Sequence, residues 1–234
     1  SGQAVAAENN GKTLFNGTAV SAATEGTDYN TCYFDTTSYN IVCGDNSTTA
    51  LDYIPQEGGQ AAKQGKSIAI GQSAQTQGES NVAIGPNTRT SETGSIAIGS
   101  SSNASKNQSI AIGQGAVAKG QADIIIGKGA GPGSSSTNGR NIAIGENTLQ
   151  NSTNSDNVIA IGTGAGTGSN STQSIYMGND ATGTGTQNIV LGYKSVSQAD
   201  NGVVIGATAK AGAKLSVAIG ANSSAAGGNA VALG

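Results

Sequence analysis

Ser67-Ile68-Ala69-Ile70-Gly71, then Gln72-Ser73-Ala74-Gln75-Thr76-Gln77-Gly78, then Asn81-Val82-Ala83-Ile84-Gly85: this stretch decides the fold. Ahead of each closing glycine, large aliphatic residues alternate with a small one, which is the period of a strand and not of a helix. Working outward, the same closing glycine recurs at Gly71, Gly85, Gly99, Gly113, Gly127, Gly145, Gly162, Gly178, Gly192, Gly206, Gly220 and Gly234. Eight of the spacings are fourteen residues, four on each side of three longer ones of eighteen, seventeen and sixteen. A second, weaker alternation of small residues follows the glycine, as in Ala74, Thr76 and Gly78 or Ala209, Ala211 and Ala213. Each unit therefore reads as two short strands joined by tight turns. Strands this short need the coils above and below as hydrogen-bonding partners, so the prediction is an all-β solenoid of parallel ladders.

The closing glycine is expected to supply a turn with φ > 0. Ser67, Asn81, Ser95, Ser109, Asn141, Ser174, Asn188 and Ser216, just ahead of the aliphatic run, are expected to bond turn backbone or to stack as polar ladders. The strand residues Ile68, Ala69, Ile70, Val82, Ala83, Ile84, Ile96, Ala97, Ile98, Ile110, Ala111, Ile112, Val217, Ala218 and Ile219 make a core or interface stripe. Either the Ile/Val set fills the roll and the Ala set faces outward, or the reverse. Both leave an apolar face, and a long apolar face marks an interface. Two large aliphatics are few for fourteen ordered residues, so self-association is the expected remedy.

Composition narrows the function. The chain has 234 residues with 37 Gly, 11% charged residues, a net charge of -3 and no His or Trp. Such bias fits a repeat better than a mixed α/β enzyme, and no Lys/Arg-rich run offers a nucleic-acid footprint. No stretch approaches the ~18 consecutive apolar residues of a membrane-spanning helix. The start at Ser1, without Met, reads as a mature or excised piece of a longer protein.

Residues 1–60 differ from the rest, holding seven acids against the single base Lys12 and six of the eight aromatics. The predicted organisation is a non-repeat cap over residues 1–60 and the repeat roll over 61–234, with the boundary near Gly58-Gly59. Within the cap, Cys32 and Cys43 flank a turn at Asp35 to Ser38 and read as a hairpin closed by a disulfide, in an oxidising location; the alternative is two free thiols in a reducing one.

Catalytic chemistry finds little support, so no enzyme, cofactor or metal is expected. Gly127-Lys128-Gly129-Ala130-Gly131 and Gly162-Thr163-Gly164-Ala165-Gly166 mimic dinucleotide loops, but neither completes G-x-G-x-x-G or opens a helix. Asp123, Asp156, Asp180 and Asp200 fall singly, unlike the repeated Asp of calcium-binding rolls. The outward sites of the second strand carry no Thr lattice of the ice-binding kind. Candidate ligand contacts are Arg89, Lys106, Lys119, Arg140 and Lys210. The longer coils are expected to bulge as solvent loops at 133–140, 151–157 and 168–173.

The repeat Ser/Asn-Ile/Val-Ala-Ile-Gly, as at Ser67 to Gly71, Asn81 to Gly85, Ser95 to Gly99, Ser109 to Gly113, Asn141 to Gly145 and Ser216 to Gly220, resembles the YadA-like head of trimeric autotransporter adhesins over residues 66–234. The resemblance implies a left-handed parallel β-roll of fourteen-residue coils, packed as a homotrimer. It also implies a bacterial cell-surface adhesin that attaches to host matrix such as collagen or fibronectin, or to an abiotic surface. Its membrane contact would be only through a C-terminal outer-membrane anchor outside this chain. Ile125, Tyr176, Val190 and Val204 depart from the family's usual Ala. A spacer or display module of a surface fibre, with no ligand of its own, is the competing class.

Overall fold

The computed structural model describes residues 66–132 and 139–234, together with the backbone of five short strands ahead of them. The expected boundary near Gly58-Gly59 and residues 133–138 of the first predicted loop lie outside the described residues, as do the side chains of Cys32 and Cys43. The chain divides into two units, residues 1–108 and 109–234. Each carries the parallel ladders of a β-solenoid, and among the described residues none is helical.

In the first unit, the runs before glycine are the strands Ile68–Ile70, Val82–Ile84 and Ile96–Ile98. They pair in parallel with Ile68 opposite Val82 and Val82 opposite Ile96, so like positions stack at a step of about fourteen residues. The return strands Gln75–Thr76, Arg89–Thr90 and Asn103–Ala104 form a second parallel ladder at the same step.

The ladders start earlier than the sequence suggests. Glu8–Asn9, Lys12–Leu14, Cys32–Asp35 and Asn40–Cys43 form an antiparallel meander, whose last strand then pairs in parallel with Ile68–Ile70, Ile41 opposite Ile68. Thr48–Thr49 likewise pairs with Gln75–Thr76. Ile41-Val42-Cys43 thus stands in the register of Ile68 to Ile70, a strand hidden in sequence because Val and Cys occupy the usual Ala and Ile slots.

The second unit carries nine strands of the aliphatic type among its described residues, from Ile110–Ile112 to Val231–Leu233. Their register survives the longer coils: Ile124 pairs with Ile142, Ile142 with Ile159 and Ile159 with Ile175. The extra residues are not plain solvent loops. Thr153–Asp156 and Asn170–Thr172 form their own parallel pair, with a register shift, and Ser152, Ser155, Ser169 and Ser171 are buried behind it. A coil lengthened by two or three residues has enough chain to close a wider section, and that section is filled by Leu149 and Val158.

The glycine column has two causes, one of which the sequence hides. Gly71 sits at φ 129°, a conformation open to glycine alone. In addition, a Cβ there would lie 2.6 Å from the carbonyl carbon of Gly85 in the next coil. The two sharp corners of the coil use the left-handed region instead and tolerate other residues, such as Ser73 at φ 55° and Ser80 at φ 58°. Asn and Asp recur at these corners because their short polar side chains tolerate that region.

Candidate functional site

The parity left open by the sequence is settled by burial. Ala69, Ala83, Ala97, Ala111 and Ala218 are wholly buried inside the roll, while the Ile and Val on either side of each point outward. The facing return strand contributes Ala74 and Thr76, or Thr88 and Thr90, so only small side chains meet across the interior. Where a larger one enters, the opposite wall is relieved: Tyr176 is fully buried, and a Cβ on Gly183 would come within 3.1 Å of its ring.

A polar column closes the interior. At several coils the residue before the strand has a backbone N–H that the strand ladder does not use, and the side chain of the preceding coil accepts it. Asn81 N–H donates to Ser67 Oγ at 3.1 Å, and Ser95 N–H donates to Asn81 Oδ1 at 2.8 Å. In the second unit Asn141 N–H donates to Asp123 Oδ1 at 2.9 Å and Val158 N–H to Asn141 Oδ1 at 3.0 Å. Burial pushes the Asp123 carboxyl above its ordinary range, against the opposing pull of the N–H groups of Asn141 and Gly120. These residues are scaffold, as the sequence reading expects. Among the described residues, no three His, Cys, Asp or Glu side chains gather as a metal site.

The outward aliphatic face is the distinctive surface. In the second unit Ile126, Ile144, Met177, Ile205 and Ile219 occupy one column and are 36–42% exposed. Ile142, Ile159, Ile175, Val203 and Val217 form the parallel column two residues earlier, and the ladder register holds both columns straight. Two mostly polar columns flank this face. Five residues before the closing glycine stand Arg140, Asn157, Gln173, Gln187, Asn201 and Leu215, and one residue after it stand Glu146, Thr163, Asn179, Tyr193, Ala207 and Ala221. All but Asn201 are exposed. Arg140 Nε donates to Asn157 Oδ1 at 3.1 Å along the first column, and Lys128 Nζ lies 3.3 Å from Glu146 Oε1 along the second.

The five candidate ligand cations do not share one place in the coil. Arg89 and Lys210 hold the outward site of the return strand, and both are exposed. Lys106 lies at the next turn, 2.8 Å from Glu92, and this contact holds the Glu92 carboxyl below its ordinary range. Lys119 is half-buried near the end of a return strand, and Arg140 stands beside the aliphatic face. An exposed Tyr193, with Lys194 Nζ 5.2 Å from its ring centroid, is a surface feature the sequence reading did not single out.

Coils of this register, closed by a glycine column and filled with small residues, recur in sequence as one repeat. Residues 62–88, 82–102, 91–116 and 211–234 match the YadA head domain repeat. The chain carries YadA-like head repeats. YadA heads are structural modules of surface-exposed adhesins and not an enzyme family, and the matching repeats suggest an adhesin-like function. No curated protein gives a significant match to the chain. The matched stretches are the regular coils on both sides of the long ones, where Ala fills the inward slot. The coils with Ile125, Tyr176, Val190 and Val204 in that slot fall outside them.

Proposed function

We propose that this chain is the adhesive head of a bacterial cell-surface adhesin, working as a homotrimer whose three rolls pack through their outward Ile/Val faces. The observation that carries the reading is that face: two straight columns of outward, partly exposed aliphatics on a roll whose interior is already filled, mostly by Ala, Ser and Thr. A flat apolar face with polar margins has the anatomy of an interface core and rim. The trimer would leave the return strands outward. Arg89, Lys106, Lys119 and Lys210 would then be presented three times each, and multivalency raises weak contacts to useful avidity toward collagen, fibronectin or an abiotic surface.

The cap over residues 1–60 belongs to the same head. Cys32 stands directly opposite Cys43 in the antiparallel register, and opposite residues of such a pair fall within the Cα separation a disulfide requires. We read the two as bridged, pinning the strand on which the parallel ladder starts. Mass measurement with and without reductant after alkylation checks the bridge.

Sedimentation of the whole chain tests the assembly, with a mass three times that of the monomer expected. Beads coated with the chain should bind collagen or fibronectin films above bare and albumin-coated controls. A trimer that binds none of these surfaces would favour the spacer role, and a monomer at every concentration would remove the packing argument.

A further inference from the structure

The interior of the second unit is filled unevenly, although its aliphatic ladder is regular throughout. Ala218 holds the inward slot of Val217–Ile219, Val204 that of Val203–Ile205 and Tyr176 that of Ile175–Met177, all wholly buried. Leu149 and Val158, also wholly buried, thicken the core of the widened coils, whose return segments add the pair Thr153–Asp156 and Asn170–Thr172. A Cβ on Gly166 would meet Leu149, Ala160 and the Tyr176 ring together, so these side chains share one packed section. Backbone bonding along the aliphatic ladder makes no such distinction. Ile159 N–H donates to Ser174 O at 2.9 Å in a widened coil, and Val217 N–H donates to Ala230 O at 2.9 Å in an Ala-filled one. The widened coils add bonds on the return side, where Thr153 N–H donates to Ser169 O at 3.1 Å and the Thr167 hydroxyl to Asn147 O at 2.9 Å.

In a solenoid each coil touches only the coils before and after it, so stability is close to a sum of coil and nearest-neighbour contributions, and opening proceeds coil by coil. The bonds between coils run along the stacking direction, and tension in that direction loads them one coil at a time. Where opening halts is then set by what fills the interior. Burying one side chain of Val, Leu or Tyr size shifts an opening equilibrium by about tenfold or more, and Ala contributes far less. We infer that the widened coils, from Leu149 to Tyr176, are a stop built into the roll. Coils such as that of Ala218 open first, those of Val204 and Val190 next, and opening arrests at the widened section. The extra residues thus hold the roll together under tension instead of merely decorating it. This ordering arises inside a single roll and does not require the self-association proposed above.

Hydrogen exchange of the whole chain, followed amide by amide where exchange reports the opening equilibrium, tests the stop. Ile159 and Gly162 should be protected about a hundredfold or more beyond Val217 and Gly220, and equally beyond Val82 and Gly85 of the first unit, whose amides are bonded between coils in the same way. The comparison with the first unit separates filling from fraying, since the strand of Ala83 has a paired strand on each side. Leu149→Ala should lower protection at Ile159 and Gly162 by about tenfold to a hundredfold, while Val82 and Gly85 keep theirs and show that the chain has folded. Tyr176→Phe keeps the filling and should leave the profile in place. Should Leu149→Ala not fold, the wild-type profile decides by itself. Equal protection in the Ala83 coil and the widened coils overturns the inference. So does a folded Leu149→Ala variant in which Ile159 and Gly162 exchange as in wild type.

Discussion

The division between Ala inside and Ile outside can be tested within one coil, at Ala143 and Ile144. Ile144 is 39% exposed in the single chain. Full burial of an isoleucine is worth about 1.5–3 kcal/mol, so covering the exposed two-fifths contributes about 0.6–1.2 kcal/mol per copy. Over three copies this is about 2–4 kcal/mol, which at ~1.4 kcal/mol per decade is about twentyfold to several hundredfold in association. Ile144→Ser should therefore lower the assembly constant by that amount. Ala143→Leu acts on another quantity. Ala143 is wholly buried and stacked between Ile125 and Ala160, and three added carbons in a filled interior cost about 1–3 kcal/mol in folding. Sedimentation over a concentration series reads the first effect. Thermal unfolding followed by far-ultraviolet dichroism reads the second, with a lower Tm at every concentration. If Ile144→Ser leaves assembly unchanged while Ala143→Leu dissociates an otherwise stable fold, the assignment of the two faces is wrong.

Gly127→Ala should be strongly destabilising, by about 2–4 kcal/mol in urea unfolding, because it combines a φ of 145° with a Cβ that meets the carbonyl of Gly145. Tyr176→Phe should leave stability unchanged or raise it by up to about 1 kcal/mol, since the buried hydroxyl has no hydrogen-bond partner among the described residues. Tyr176→Ala should lose about 3–5 kcal/mol to the cavity, with both changes read by denaturant titration. Asp123 gives a pH signature. Its folded value is raised by burial, so its stabilising contribution is complete below the unfolded Asp value near ~3.9 and is lost as pH rises through the folded value. The Tm of wild type minus that of Asp123→Asn should thus fall as pH is raised from about 4 to 7, and a difference that rises over this range would contradict burial as the dominant cause.

Much of the architecture was legible because its physical causes are local or strictly periodic. A strand of three or four residues shows its alternation in the chain, and stacking repeats that alternation every coil. The polar column was also visible, since Ser or Asn precedes eight of the twelve aliphatic runs and only a short side chain can reach the next backbone N–H. Less visible were the strands Asn40–Cys43 and Thr48–Thr49, which join the parallel ladders although Val42 and Cys43 break the sequence pattern. The widened coils misled as well: composition marks 151–157 and 168–173 as polar, yet Ser152, Ser155, Ser169 and Ser171 there turn inward beside an added ladder. Among the candidate contacts, Arg140 could not be separated from Lys119 or Lys210 by charge alone. Its place five residues before the glycine sets it beside the aliphatic face instead.

From the sequence by itself come the repeat, the strand in front of each glycine, the stacking step, the scarcity of chemistry and the resemblance to an adhesin head. The side of the strand that faces inward could only come from the tertiary structure. A period of two is unchanged when every side chain is turned to the opposite face, so alternation cannot choose between Ala in and Ile in. The width of the closed coil chooses. Two walls joined by such tight corners leave room for Ala, Ser and Thr between them, and a Tyr enters only where glycine gives way across from it. The larger aliphatics are thereby sent outward, and the surface on which the proposed assembly depends follows from lack of space inside.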